Sequence, residues 1–450
     1  MGGGISGLCA AYWLMQNDFD VTVLEREDSP GGSMKTVHRN GYLVDIGPNS
    51  SLETTPLFND LFTSLGIIDQ RVYANEAANK RYILREGKLH PIPMSPGLFF
   101  KSKLWSTKGK LRLLKEPFVG RANGEESIAQ FVERRLGREF LDYAINPFVA
   151  GVYAGNPEEL SVQSAFPKLY RLEEVYGGLI KGMIKGRKER KQRAEQSKQS
   201  ARMFSFTGGM STFPHALGKV LGDRLVLNAA VTAVGKKNNT YTVTADTGKG
   251  KREFTATHLI LSVPAYQAAR LLEPLDSSIS ETLSNIYYPP VTMVYFGYRT
   301  EAIAHPLDGF GYLIPAKEKR KILGTIWSST IFPDRSPKGY AAFTTFVGGS
   351  RQPEITDLDK AALRQVVHDE IVSILGVTET PAFYYIKEWK RAIPQYKLGY
   401  VNTIEHIERF EQSYAGLHLC SNYRGGISVG DCVMNARRTV DAILNNNGKE

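Results

Sequence analysis

An α/β fold, α+β overall, follows from three stretches of the 450-residue chain. The first is Gly2-Gly3-Gly4-Ile5-Ser6-Gly7, a G-x-G-x-x-G spacing whose glycines permit a tight turn and let a pyrophosphate approach the N-terminus of the next helix. The second is the run Val21-Thr22-Val23-Leu24 ending in Glu25, an acid placed to accept both hydroxyls of an adenosine ribose and to repel a 2′-phosphate. The third is at the far end, where Leu417-His418-Leu419-Cys420 precedes Gly425-Gly426-Ile427-Ser428-Val429-Gly430-Asp431 and a helical pattern through Val433, Ala436, Val440 and Ile443. A glycine turn opening a helix at each end predicts a discontinuous Rossmann-like dinucleotide-binding domain, closed by the last segment of the chain.

Length and composition narrow the class. The chain is long enough for two or three domains, and 42% hydrophobic with 23% charged residues is ordinary for a globular protein. No run of about 18 apolar residues is present, so no transmembrane helix is expected, and no signal peptide is visible in this numbering. Cys9, Cys420 and Cys432 lack metal-ligand spacing and are expected to be buried free thiols in a reducing compartment. The eight histidines form no H-x-x-x-H pair or Cys/His cluster, so no metal site is expected. The net charge of +10 is concentrated in Lys181, Lys185, Arg187, Lys188, Arg190, Lys191, Arg193, Lys198 and Arg202, opposed by Glu189 and Glu195. This stretch is expected to be a solvated loop; without interleaved aromatics it does not point to nucleic acid.

Taken in order, the elements begin with an anomaly. Met1 abuts Gly2 directly, so the apolar first strand that carries such a turn is missing from this numbering. Two neighbouring strand edges are expected to be left open, and the expected explanation is a truncated start. A second glycine turn, Ser29-Pro30-Gly31-Gly32-Ser33, follows Glu25, and Gly41-Tyr42-Leu43-Val44-Asp45-Ile46-Gly47-Pro48 comes next. Leu57, Leu61, Phe62 and Leu65 recur at helical spacing after Pro56 and before Gly66. Two extended runs around Glu86-Gly87 predict a hairpin over 80–93.

Residues 94–118 mix Leu98, Phe99, Phe100, Leu104 and Trp105 with Lys101, Lys103, Lys108 and Lys110, a composition that suits either a membrane interface or helices packed on the protein. Ile128, Phe131, Val132 and Leu136 predict a helix opened by Glu125-Glu126-Ser127. Later come a helix after Gly208-Gly209-Met210, a meander through Tyr241-Thr242-Val243, and the buried strand His258-Leu259-Ile260-Leu261-Ser262-Val263-Pro264. From Tyr287 onward strands dominate, at 291–298, 309–314, 322–327 and 340–347.

The second glycine turn behind Glu25 resembles the amino-terminal signature of the flavoprotein superfamily of amine oxidases, phytoene desaturases and protoporphyrinogen oxidases. Asn146-Pro147-Phe148-Val149-Ala150-Gly151-Val152-Tyr153-Ala154-Gly155-Asn156-Pro157, continuing into Ala165-Phe166-Pro167 and Tyr176-Gly177-Gly178, is similar to the protoporphyrinogen oxidase family, as are 306–315 and Phe332-Pro333-Asp334-Arg335. The resemblance implies FAD, bound by a domain of residues 1–75, 204–265 and 406–450. It implies a substrate domain of 76–93 and 266–405, and a helical, membrane-facing domain of 94–203 with a basic loop at 181–202. FAD contacts are implied for Gly2, Gly4, Ile5, Ser6, Gly7, Glu25, Arg26, Gly31, Gly32, Ser33, Gly47, Pro48, Asn49, Val231, Gly430, Asp431 and Val433. Ser33 stands where relatives usually carry arginine. A plain N-cap remains open for Asp431.

The implied reaction removes hydrogens from a porphyrinogen in three two-electron steps, with dioxygen reoxidising FAD to give hydrogen peroxide. Arg81 would pair with a propionate, as guanidinium geometry allows. Trp327 would stack on the tetrapyrrole and Leu313 would contribute an apolar wall, with sheet core the alternative for both. The carbonyl of Gly151 would accept pyrrole N–H bonds. Coproporphyrinogen, an amine and non-catalytic porphyrin or membrane binding are the rival readings. An amine oxidase would carry a lysine in the strand matched by Pro290-Val291-Thr292-Met293-Val294, where none stands, and only Tyr384, Tyr385 and Trp389 offer an aromatic cage. The resemblance further implies a cytoplasmic location with peripheral attachment to the inner face of the cell membrane; a homodimer is left open.

Overall fold

The computed structural model describes residues 1–192 and 201–447. Its dinucleotide-binding layer is built on the helix Ile5–Met15, which is apolar nearly all round and has Leu8, Cys9 and Ala10 at 1% exposure or less. A helix of that composition must be covered on several sides. It packs along Val429–Asn447, with Phe58, Phe62, Phe204, Phe206 and Phe213 completing the same core.

Two parallel strand pairs flank this helix: Val23–Leu24 with Leu225–Val226, and Leu259–Leu261 with Leu417–Leu419. Met1 and Gly2 lie between the pairs. The Met1 amino group donates to Ile260 O at 2.7 Å, Ser262 N–H donates to Met1 O at 2.8 Å, and Gly2 N–H donates to Leu24 O at 2.9 Å. The two edges foreseen in the sequence are therefore where the pairs stop, and two residues carry the hydrogen bonds across the interval.

A seven-stranded sheet forms the second layer, in the order Phe383–Trp389, Val291–Arg299, Tyr340–Gly348, Gly324–Trp327, Gly311–Leu313, Arg81–Arg85, Lys88–Pro91. Only Gly311–Leu313 and Arg81–Arg85 run parallel. The sheet is covered on both faces, which is why Val291–Arg299 is buried over eight consecutive residues. One face, with Val294, Phe296, Tyr298, Tyr312, Trp327 and Phe343, packs on Leu363, Val367, Ile371 and Leu375 of the helix Lys360–Leu375. On the opposite face Met293, Tyr295, Ala342 and Phe383 pack on Tyr42, Val44 and Ile46. The approach is close enough that a Cβ on Gly297 would lie 2.4 Å from the Tyr42 ring.

The helical segment is held by charge as well as by apolar packing. Ile128–Leu136 starts at Ser127 with a reciprocal capping box to Gln130. On it, the wholly buried Arg135 is answered by Glu116 at 2.6 Å and by Glu173. Glu116 also accepts the N–H groups of Leu179 and Ile180. They open the helix Leu179–Gln192, so this part of the basic stretch is helical where a loop was expected. Lysine, arginine, glutamine and methionine are all good helix formers. Residues 193–200 of the stretch lie outside the described residues. No helix among the described residues is long and apolar enough to cross a membrane.

Candidate flavin and substrate site

The first glycine turn fits a dinucleotide for steric reasons that differ at each glycine. A Cβ on Gly7 would come within 2.1 Å of Gly2 O and 2.3 Å of Ser262 Oγ, so only glycine lets the helix start so close to the strands. Gly4, the residue before the helix, has the opposite environment, with nothing within 4 Å of a Cβ built there. Open space at a helix N-terminus suits a pyrophosphate. The second glycine turn is tied to the first by a bond from Gly31 N–H to Gly3 O at 2.8 Å. Gly31 and Gly32 adopt φ of 120° and 60°, values that L side chains rarely reach. Gly47 lies against Ser33 O, which a Cβ would approach to 1.8 Å.

Glu25 is 6% exposed; its carboxylate accepts Gly3 N–H at 2.6 Å and Glu27 N–H at 2.9 Å, which fixes it at the mouth of the turn. Arg26 points outward and pairs with Glu27. Val231 lies near the start of the strand Ala230–Lys237, which leaves from beside Glu25, since Ala229 N–H donates to Glu25 O. Ser33 is exposed, and the half-buried Pro48 and Asn49 follow Gly47. The Ser33 side chain supplies no charge there.

Four residues at the turns are engaged within the protein itself. Val433 is fully buried in the core under the Ile5–Met15 helix, so its side chain supports the cofactor layer and does not contact the cofactor. Ser6 is also buried, its hydroxyl near the Cys432 thiol where the two helices pack. Ile5 is half-buried against the same core. Asp431 is the third residue of the helix Val429–Asn447 and not its N-cap: Ser428 holds that place, its Oγ accepting Asp431 N–H at 3.1 Å and donating to Asp431 Oδ2 at 2.6 Å. Gly430 lies close to Thr54 Oγ1, 2.7 Å from a Cβ built there.

The substrate candidates fall on two faces of the sheet. Arg81 pairs in register with Gly311, leaves its guanidinium solvent-accessible over the Phe310 ring at 5.5 Å, and forms no ion pair among the described residues. Neighbouring Lys80 is the residue that takes Asp308. Leu313 is half-buried, and its Cδ2 would be 2.5 Å from a Cβ on Gly151, itself exposed on the helix Asn146–Tyr153. Trp327 does not join them. Its indole is wholly buried on the opposite face, with His305 at 4.8 Å and Tyr82 at 5.6 Å between ring centres, so it is sheet core and cannot stack on a substrate.

Side chains alternate along a strand, so the residue before Trp327 lies on the face of Arg81 and Leu313. Gly311 pairs with Ile326, and Leu313 with Gly324, which pairs in turn with Phe346. Arg81, Leu313, Ile326 and Phe346 therefore share one face. Ile326 and Phe346 were missed in the sequence because alternation sets a period and gives no phase. At the end of this face Arg351 donates to Asn146 Oδ1 and Ile314 O, and burial brings its pKa down to about 10.

Paired glycine turns, a ribose-directed acid and a sheet face beside them define an FAD-dependent oxidoreductase. The flavin-containing amine oxidoreductase family matches residues 5–444. Protoporphyrinogen oxidase 2, chloroplastic/mitochondrial, of Arabidopsis thaliana is 32% identical over 99% of this chain and 93% of its own length. The chloroplastic protoporphyrinogen oxidase of Nicotiana tabacum is 34% identical over 97% and 83%. The coproporphyrinogen III oxidase of Bacillus subtilis is 25% identical over 99% and 97%. A crystal structure provisionally named protoporphyrinogen oxidase from Exiguobacterium superposes with a TM-score of 0.82 at 23% identity, covering 98% and 97% of the two chains. The chain belongs to the protoporphyrinogen oxidase family within the flavin-containing amine oxidoreductases.

Proposed function

We propose that the protein oxidises protoporphyrinogen IX to protoporphyrin IX, with FAD taking the electrons and dioxygen reoxidising it to give hydrogen peroxide. The observation that carries this reading is the single sheet face on which a carboxylate-free Arg81 stands beside Leu313, Ile326 and Phe346, opposite the exposed backbone of Gly151. Bound FAD supplies the hydride-accepting chemistry. Arg81 anchors a propionate; desolvation by its surroundings draws its pKa below the usual arginine value, and a carboxylate partner offsets that cost. Leu313, Ile326 and Phe346 present apolar area to the macrocycle and keep water from it. Gly151, without a side chain, lets Leu313 pack where a Cβ would stand, and its exposed backbone carbonyl is the acceptor for pyrrole N–H bonds.

Anaerobic mixing of the FAD-loaded protein with protoporphyrinogen IX tests this. The flavin's visible absorbance is expected to bleach on mixing and to return on admitting air; no bleaching contradicts the reading.

We further propose peripheral attachment to an anionic membrane through the segment containing the short helices Pro96–Lys101 and Thr107–Leu113. Met94 and Phe118 there are 75% and 88% exposed, values that an internal packing role would not leave. Exposed Lys101, Lys103, Lys108 and Lys115 supply charge beside them. Cosedimentation with vesicles containing phosphatidylglycerol is expected, and its loss in Phe118→Ser; equal recovery of both proteins in the supernatant would reject attachment.

A further inference from the structure

Arg351 carries a charge that no acid of the described residues answers. The fully buried arginines are compensated, Arg135 by Glu116 and Glu173 and Arg335 by Asp45 at 3.5 Å, whereas Arg351, half-buried, is not. The guanidinium of Arg351 instead makes two hydrogen bonds to neutral acceptors, Asn146 Oδ1 at 2.9 Å and Ile314 O at 3.0 Å. Desolvation is the one influence on its ionisation, with no neighbouring charge acting on it. A guanidinium has five N–H donors, so three remain for another acceptor. Taking an arginine out of water without a counter-charge is costly, and an acidic ligand would remove that cost.

Its place in the fold says which ligand. Ile314 follows Leu313 at the end of the Gly311–Leu313 strand, whereas Arg81 is paired with Gly311 at the start. At about 3.3 Å per residue the two anchor points stand roughly 10 Å apart along the strand, with Leu313 and the facing Gly151 between them. Asn146, which also accepts Ala316 N–H at 2.9 Å, is the first residue of the helix that carries Gly151.

We propose that Arg351 is a second carboxylate-recognition residue, so that the face between Arg81 and Arg351 selects a macrocycle with two acidic arms. This rests on the porphyrinogen reading above. The second arm replaces water at the three N–H groups left over by Asn146 and Ile314, and it supplies the missing counter-charge.

The test measures the affinity of the FAD-loaded holoenzyme for protoporphyrin IX and for its dimethyl ester by porphyrin fluorescence, in the wild type, Arg351→Gln and Arg351→Lys, with flavin content checked in each. The wild type is expected to prefer the diacid. Arg351→Gln should lose about tenfold in affinity for the diacid, the scale of one charge-assisted bond, and nothing for the diester, while Arg351→Lys should recover part of the loss. A purely structural link to Asn146 would weaken diacid and diester alike, and that result overturns the proposal, as does a diacid affinity unchanged in both variants. If Arg351→Gln loses its flavin, Arg351→Lys decides by the same ratio of diacid to diester. A wild type that binds neither porphyrin overturns the porphyrinogen reading and this inference with it.

Discussion

Gly4 and Gly7 differ by one turn of helix and by what stands in front of them. Gly7 packs against Gly2 O and Ser262 Oγ, so Gly7→Ala should cost about 2 kcal/mol through overpacking and lower the melting temperature even in the apoprotein. Gly4 has φ −74° and open space ahead, so Gly4→Ala should melt like the wild type yet retain little FAD, because the methyl group fills the pyrophosphate's place. Flavin content and differential scanning fluorimetry on the pair separate the two effects; equal flavin retention in Gly4→Ala and wild type would count against this turn as the cofactor cradle. At the substrate face, Arg81→Ala is expected to raise KM about tenfold with kcat nearly kept, since the guanidinium touches a remote arm of the substrate. Steady-state kinetics check it, and a fall in kcat alone would contradict it. The glycines were legible in the sequence because their spacing encodes a backbone requirement. Trp327 was misread because a large aromatic in a strand suits a core face and a ligand face equally, and only the register with Gly311 and Phe343 decides between them.

Among elements, the strands that complete the dinucleotide layer were legible because they are short runs dominated by leucine, isoleucine and valine. The helix Leu179–Gln192 was not, since its anchor is Glu116, far away in the sequence, which accepts the first two N–H groups of that helix. The strand Leu417–Leu419 carries a pH dependence. His418 stacks on His258 with 6.0 Å between ring centres, and Phe19 meets the edge of His258. Burial first, then His258 and Arg424, hold the His418 imidazole down at about 4. In the unfolded chain it titrates near 6.5, so between these values the unfolded state binds more protons. Stability contributed by the neutral ring is present above pH 6.5 and is lost as the pH falls toward 4. Melting temperature measured between pH 7 and pH 4.5 should fall more steeply in the wild type than in His418→Gln; parallel curves would show that the ring does not titrate on unfolding.

For the whole molecule, the site is composite. In the proposed site, glycine turns from both ends of the chain would provide the cofactor side, and one face of a sheet assembled from residues 81 to 389 the substrate side. Charge joins them: Arg335, following the strand region of the sheet, donates to Ser205 Oγ and Phe206 O and pairs with Asp45, two residues before Gly47. Sequence motifs located each contributor but could not show which faces meet, because strand order departs from chain order and the pairing of Gly311 with both Arg81 and Ile326 joins segments more than 200 residues apart in the chain. The account's central claim is that this composite site oxidises a porphyrinogen. Porphyrin fluorescence appearing in air, followed for FAD-loaded protein with protoporphyrinogen IX and with coproporphyrinogen III against enzyme-free controls, tests it most directly. The account predicts clear acceleration, larger with protoporphyrinogen IX; FAD-loaded protein that leaves both rates at their spontaneous values would contradict it.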